Sequence, residues 1–236
     1  ARFPHTTENE ALTMKLAAAI GLPVATVSAR VVGGQSCLLV TRYDRWFDDQ
    51  GRAHRLHQED FCQALSLPPE RKYAAEGGPT FRMSFDLLRQ ATTVPAGNVL
   101  ALLDGAIFNL IVGNADAHGK NFSLLYRAGT ATLAPFYDLL STVAYPELSA
   151  TLAMKIGKRA TLEEVGSATW PSFADEIGLG APYVRRRVGE LAVAVAEQVM
   201  AVAHGPEFDG LDQRAVHEFA TLIAARAERV GRTVSK

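Results

Sequence analysis

The sequence is short of cysteine and has no excess of charge of either sign. Cys37 and Cys62 are its only two cysteines, and they stand alone without CxxC or Cys/His spacing. That argues against a disulfide framework and a zinc site, and it fits a reducing cytoplasm. Lysine and arginine number 24 against 25 acidic residues, a formal charge of −1 with a pI near 6.7. No overall positive field therefore draws the chain to nucleic acid or anionic lipid. No apolar run approaches the roughly 18 residues of a membrane span, and the N-terminus lacks a signal-peptide layout, so a soluble protein without membrane contact is expected. There is no repeat and no low-complexity tract. The chain opens on "ARFPHTTENEA" without an initiator methionine, as a piece of something longer would. What is present is a 236-residue chain that is 48% hydrophobic, enough to bury the core of one large domain or a two-lobed one.

Apolar residues at helical spacing behind a Thr/Glu-rich start predict a helix over 8–20, ended by Gly21 and Pro23. Two β-branched runs flank Gly33-Gly34 in "TVSARVVGGQSCLLVTRYDRW", which predicts a hairpin. Residues 56–66, "LHQEDFCQALS", read as helical up to Pro68-Pro69, and "KYAAEGGPT" reads as a loop. Helical patterns cover 81–92 and 98–112. "FSLLYRAGTATLAPFYD" then reads as a short hairpin with Ala128-Gly129-Thr130 at its tip. Beyond about residue 160 the pattern is helical to the end, near 161–175, 181–203 and 211–231.

The polar stretch "GNADAHGKN", residues 113–121, separates an apolar helix from this second hairpin. Phosphoryl transfer needs a carboxylate to orient or deprotonate the attacking hydroxyl, and oxygen ligands to hold magnesium against nucleotide phosphates. Asp116 and Asn121 have the D-x-x-x-x-N spacing of a protein-kinase catalytic loop. Asp138 follows one hairpin later, where a second metal-directed carboxylate belongs. The expected roles are Asp116 as base, Asn121 and Asp138 as magnesium ligands, and Lys120 as an electrostatic helper. The spacing alone is weakly specific, because Asp and Asn are ordinary loop residues that form Asx-turns. Its position between buried elements, with Asp138 following, favours chemistry. His118 reads as a loop histidine bonded to backbone, the flanking Phe108, Phe122 and Phe136 as core, and Arg185–Arg187 as a solvated helix face.

Five stretches, "RYDRW", "RLHQEDFCQAL", "KYAAEGGPTF", "GNADAHGKNFSLLY" and "LAPFYDLLST", follow one another in the order and wording of the HipA family. The chain thus resembles the serine/threonine kinase toxins of bacterial toxin–antitoxin systems, from about residue 8 to 160 and less distinctly beyond. The resemblance implies an α+β, two-lobed protein-kinase-like fold with a truncated N-lobe and an enlarged, mostly helical C-lobe. Residues 1–45 would be the remnant N-lobe and hinge, and 46–236 the C-lobe with catalytic loop and metal-binding hairpin. ATP and Mg2+ are the implied cofactors, with Asp116 the catalytic aspartate and Asn121 and Asp138 on the metal, in agreement with the roles above. "LVTRYDR" resembles the hinge, so that backbone groups of Thr41 and Tyr43 would meet the adenine. Gln58 matches a position near the nucleotide pocket; the alternative for it and Glu59 is a helix N-terminal turn satisfying its own backbone. The implied partner is a small HipB-like DNA-binding antitoxin that holds the toxin at its operator, with DNA touched only indirectly. The implied substrate is a cytoplasmic protein of the aminoacyl-tRNA synthetase class, and the outcome is growth arrest and persistence.

A complete family member carries, before this point, an N-terminal subdomain, a phosphate-covering loop with a regulatory serine, and a strand lysine that pairs with the phosphates. None is visible here. Gly33-Gly34 and Gly77-Gly78 lack the strand-to-helix context of a phosphate cradle. Arg2 sits roughly where the lysine belongs, with Glu10 or Glu8 as the helix carboxylate that would pair with it, but arginine does not reproduce a lysine's point contact. Two readings stay open: an active kinase, or a kinase-like fragment or pseudokinase that binds antitoxin or nucleotide and transfers nothing. Small-molecule phosphorylation is opposed by the "HQEDFCQAL" and "KYAAEGGP" motifs.

Overall fold

The computed structural model describes residues 3–234; Arg2, the expected phosphate contact, lies outside them. Helix α1, Thr6–Ala19, turns Leu12, Leu16 and Ala17 into the core. It stops where Gly21, at φ 85°, lets the Leu22 amide reach the Ala17 carbonyl at 3.0 Å. Strands β1, Val27–Val32, and β2, Gln35–Val40, pair antiparallel with Val32 opposite Gln35. The turn residues Gly33 and Gly34 both have positive φ, 58° and 79°, as a tight two-residue hairpin turn requires.

Two expectations are corrected. The helix expected over 56–66 is instead strand β5, His57–Asp60, followed by a single turn, α2, Phe61–Ala64. Asp60 and Gln63 form a reciprocal capping box, so the helix begins only at Phe61. The four residues before it pair with β6, Ser123–Arg127, more than sixty positions away, a partner that no local pattern reveals. Strand β7, Thr130–Leu133, completes this sheet in the order β5-β6-β7. The helix expected over 161–175 starts only at Thr169. Before it, β8, Thr151–Ile156, and β9, Arg159–Thr161, form a hairpin that turns at Gly157 and Lys158, both at positive φ. A further small hairpin, β3 Arg45–Phe47 with β4 Ala53–Arg55, escaped the sequence reading.

The corrected helix is α5, Thr169–Ile177, and the remaining helices match the periodicity: α3 Phe81–Ala91, α4 Pro95–Val112, α6 Ala181–Ala203 and α7 Gln213–Arg232. Helix α4 lies at the centre, packed by α3, α6 and α7. At 18 residues and mean hydropathy 1.5 it is long and apolar enough to cross a membrane, contrary to the expectation of no such run, but 61% of it is buried inside this protein. Its one charged residue, Asp104, makes a two-pronged pair with Arg187 on α6, at 2.6 and 2.9 Å. Arg187 is thus a tie between helices, whereas Arg186 lies exposed beside Tyr183 and Glu190.

Candidate active site

Residues 113–121 leave the C-terminus of α4 through Gly113, at φ 79°. The loop is held at each step. Asn114 donates to Asn109 Oδ1 at 2.8 Å and accepts from the Asp116 amide at 3.1 Å. Thr142 Oγ1 accepts from the Ala115 amide at 2.8 Å and donates to the Gly113 carbonyl at 3.0 Å. The Asn121 carboxamide oxygen accepts the His118 amide at 2.9 Å. Asp116 itself is exposed, so a rigid backbone presents a solvent-facing carboxylate. From below, Gly119 donates to the Lys72 carbonyl at 3.1 Å, and a Cβ there would lie 2.4 Å from Pro79. Close packing of the "KYAAEGGP" loop under residues 113–121 therefore requires glycine at 119.

Asp138 sits at φ 57°, a left-handed conformation that aspartate tolerates better than most residues. The chain before it is fixed on both sides. Phe136 exchanges backbone bonds with Pro23 and Ala25 at 2.8 Å each, and its ring lies over Gly105 of α4. The Tyr137 hydroxyl donates to the Lys120 carbonyl at 2.6 Å and lies 2.8 Å from Ser123 Oγ; burial raises its pKa and keeps it protonated. This places the Asp138 carboxylate against the Asn121 side chain, whose amide donates to it in a short hydrogen bond.

Asp138 is a shared wall of two clefts. One, of about 440 Å³, is lined by Glu10, Thr41, Tyr43, Gln58, Tyr137 and Asp138. The other, of about 590 Å³, has Tyr73, Glu76, Asn114, Asp116, Asp138 and Leu140 among its walls. The four residues expected at the nucleotide, distant in sequence, thus meet in the first cleft, and the expected base lies in the second. Burial, reinforced by the charge of Asp138, raises the Glu10 carboxyl to about 7. Glu8, the other candidate, instead accepts from Ser36 Oγ at 2.9 Å. Lys120 pairs with Asp60 at 3.3 Å. His118 Nδ1 is buried without a partner, and burial together with the nearby Lys72 pushes its pKa down, favouring the neutral ring.

Two observations bear on ligands. Gln58 Oε1 is buried with no hydrogen-bond partner, a free acceptor beside the first cleft that suits a purine amine or ring N–H. Asp138 offers a carboxylate, held by the Asn121 amide nitrogen, and the Asn121 carboxamide oxygen, which accepts the His118 amide, keeps a second lone pair; magnesium commonly takes one or two carboxylates with the rest from water and phosphate. Among the described residues no group of three or more His, Cys, Asp or Glu side chains gathers for a metal. The donor set therefore fits a cation that arrives with a nucleotide.

Sequence reasoning missed Tyr73, on the wall beside Asp116, whose pKa is raised by burial and by that carboxylate. "KYAAEGGP" had marked the segment as family-like but gave no sign of which cleft it lines. Thr142 was missed too, since a lone threonine after "LLS" carries no signal.

A small-sheet N-terminal part, a helical block centred on α4, and the loop of Asp116 and Asn121 facing Asp138 across two clefts match a protein-kinase-like architecture. A profile described as the HipA-like C-terminal domain matches residues 1–201, and the chain belongs to that family. It is 56% identical to "Putative kinase Y4mE" of Sinorhizobium fredii, over 98% of this chain and 55% of that protein. It is 30% identical to "Serine/threonine-protein kinase toxin HipA" of Shewanella oneidensis, over 97% of this chain and 55% of the relative. Among solved structures it superposes with a TM-score of 0.92 on a chain of the Shewanella oneidensis MR-1 complex of HipA, HipB and operator DNA, at 29% identity over 98% of this chain and 57% of that one. The chain spans about half the length of the relatives it matches.

Proposed function

We propose that the chain is the catalytic region of an ATP- and magnesium-dependent serine/threonine protein kinase of toxin type, divided near residue 45 into a remnant N-lobe with hinge and a C-lobe. The observation that carries this reading is Asp138 standing between the cleft of the hinge residues and the cleft of Asp116. ATP would lie with its adenine against the Thr41 and Tyr43 backbone and Gln58, and its phosphates toward Asp138. Magnesium, held by Asn121, Asp138 and the phosphates, would neutralise the phosphate charge. Asp116 would accept the proton of a serine or threonine hydroxyl as that oxygen attacks the γ-phosphorus and ADP leaves with the bridging oxygen. The Tyr137 bond to the Lys120 carbonyl and the Asn121 bond to the His118 amide keep the loop in place. Lys120, tied to Asp60, acts through the loop's shape as much as through its charge.

The solved complex of HipA, HipB and operator DNA supports a HipB-like antitoxin as partner; a cytoplasmic setting, a protein substrate of the aminoacyl-tRNA synthetase class and growth arrest as the outcome rest on the motif resemblance alone. Incubation of the chain with ATP, magnesium and candidate acceptors, read by mass spectrometry, tests the chemistry. Transfer that Asp116→Asn abolishes is the expected result. Full transfer by Asp116→Asn removes Asp116 as base. Nucleotide binding with no transfer by the unaltered chain favours the second reading, a binding module.

A further inference from the structure

Helix α7 lies beyond residues 1–201, the part of the chain that matches the family profile, yet one of its side chains reaches the root of the catalytic loop. Arg226 is 9% exposed. Its Nε donates to the Ile111 carbonyl at 3.1 Å and its Nη2 to the Leu110 carbonyl at 3.0 Å. These carbonyls belong to the last turn of α4, where the helix dipole presents its negative end; the Leu110 carbonyl also takes the Gly113 amide at 3.3 Å. The nearest carboxylate, Glu163, is half-exposed and 4.0 Å away, and burial pulls the arginine's pKa down. A buried cation is costly unless well paired, and an apolar side chain fills such a space more cheaply. The guanidinium therefore asks for an explanation beyond packing.

Its position supplies one. Immediately after the two carbonyls the chain turns at Gly113, where a Cβ would meet Arg226 Nε at 2.6 Å and Val143 Cγ2 at 2.5 Å. Thr142 and Val143 hold the Gly113 carbonyl at 3.0 and 3.2 Å, and Thr142 also takes the Ala115 amide. The turn is thus held by both α7 and the segment that follows Asp138, three residues before Asp116.

We infer that Arg226 is a positioning residue: through the Leu110 and Ile111 carbonyls it fixes where α4 ends, and so sets the placement of Asn114–Asn121 and the Asp116 carboxylate. The catalytic meaning rests on the kinase reading above; the placement does not.

The test is hydrogen exchange of the whole chain, compared with Arg226→Met and Arg226→Lys. Exchange at residues 114–121 should rise about tenfold or more in Arg226→Met, as when a charge-assisted hydrogen bond holding a closed segment is lost, with α1 and β1–β2 unchanged. Arg226→Lys, which can still reach one carbonyl, should restore part of the protection. Unchanged exchange in the loop, or an equal rise throughout the chain, would overturn the inference, and either result can be read from Arg226→Lys alone should Arg226→Met not fold. Where transfer is measurable, kcat should fall by up to about 100-fold, the scale of a small misplacement of a catalytic group, with KM for ATP nearly unchanged. Failure of the kinase reading would remove that last readout and leave the exchange result standing.

Discussion

Replacing Asn9 by alanine should separate α1 from the segment that follows Asp138. Asn9 is fully buried on α1, with Nδ2 donating to the Ser141 carbonyl at 2.9 Å and to the Tyr145 hydroxyl at 3.2 Å, and Oδ1 accepting the Ser141 amide at 2.8 Å. Ser141 is itself at 0% exposure, so alanine strands its N–H and C=O away from water. Each stranded group costs about 1–3 kcal/mol, which after partial relaxation gives a loss of about 3 kcal/mol. Urea unfolding followed by tryptophan fluorescence should show the midpoint falling by about 1 M, for a slope near the upper end of the usual 1–3 kcal/mol per molar. Thr13→Val on the same helix is the control: Thr13 is also fully buried, but its Oγ1 has no partner, so the change should be neutral or slightly stabilising. If Asn9→Ala loses less than about 0.5 kcal/mol, or no more than Thr13→Val, the two-sided amide pairing is not what binds these segments.

Gly105→Ala should cost about 1–3 kcal/mol by overpacking, because the new Cβ would lie 2.4 Å from Phe136 Cζ in a site where Phe136 is 2% exposed. Adding Phe136→Leu should recover part of the loss, measured in the same unfolding assay. Glu10 has its folded-state pKa raised from 4.5 to about 7, so the folded chain holds that proton more tightly than the unfolded one. Stability from this group is therefore present below pH 4.5 and lost as pH rises through about 7. Relative to Glu10→Gln, the unaltered chain should lose up to about 2 kcal/mol between pH 5 and 8, allowing for partial exposure; parallel profiles would refute the burial argument.

What the sequence disclosed followed the range of the forces involved. The loop from Gly113 to Asn121 could be read because its polar residues are local and interrupt an apolar helix, and Asp138 because it follows one hairpin later. Gly33-Gly34 announced its turn for the same local reason. Strand β5 stayed hidden because its pairing energy comes from Leu124, Leu125 and their neighbours, far along the chain, while "QEDFCQAL" satisfies a helical pattern by itself. Gln58 was linked to a nucleotide only through resemblance; no spacing could show that its Oε1 would be left without a partner. Arg226 was illegible, since on an amphipathic helix one arginine looks like another until the packing shows which is buried.

The backbone exchange between Phe136 and residues 23–25 has a mechanical consequence. It ties the link between α1 and β1 to a point two residues before Asp138, and a pair of main-chain bonds resists shear far more than it resists rotation. If the β1–β2 hairpin swings against the helical block, this tie is the natural pivot. Asp138, next to the axis, would scarcely move, nor would Val40 and Thr41, which pair with Val27 and Thr26 beside the tie, while the Gly33-Gly34 tip would travel furthest. A swing of the hairpin would then leave undisturbed both the carboxylate that the two clefts share and the Val40–Thr41 side of the first cleft.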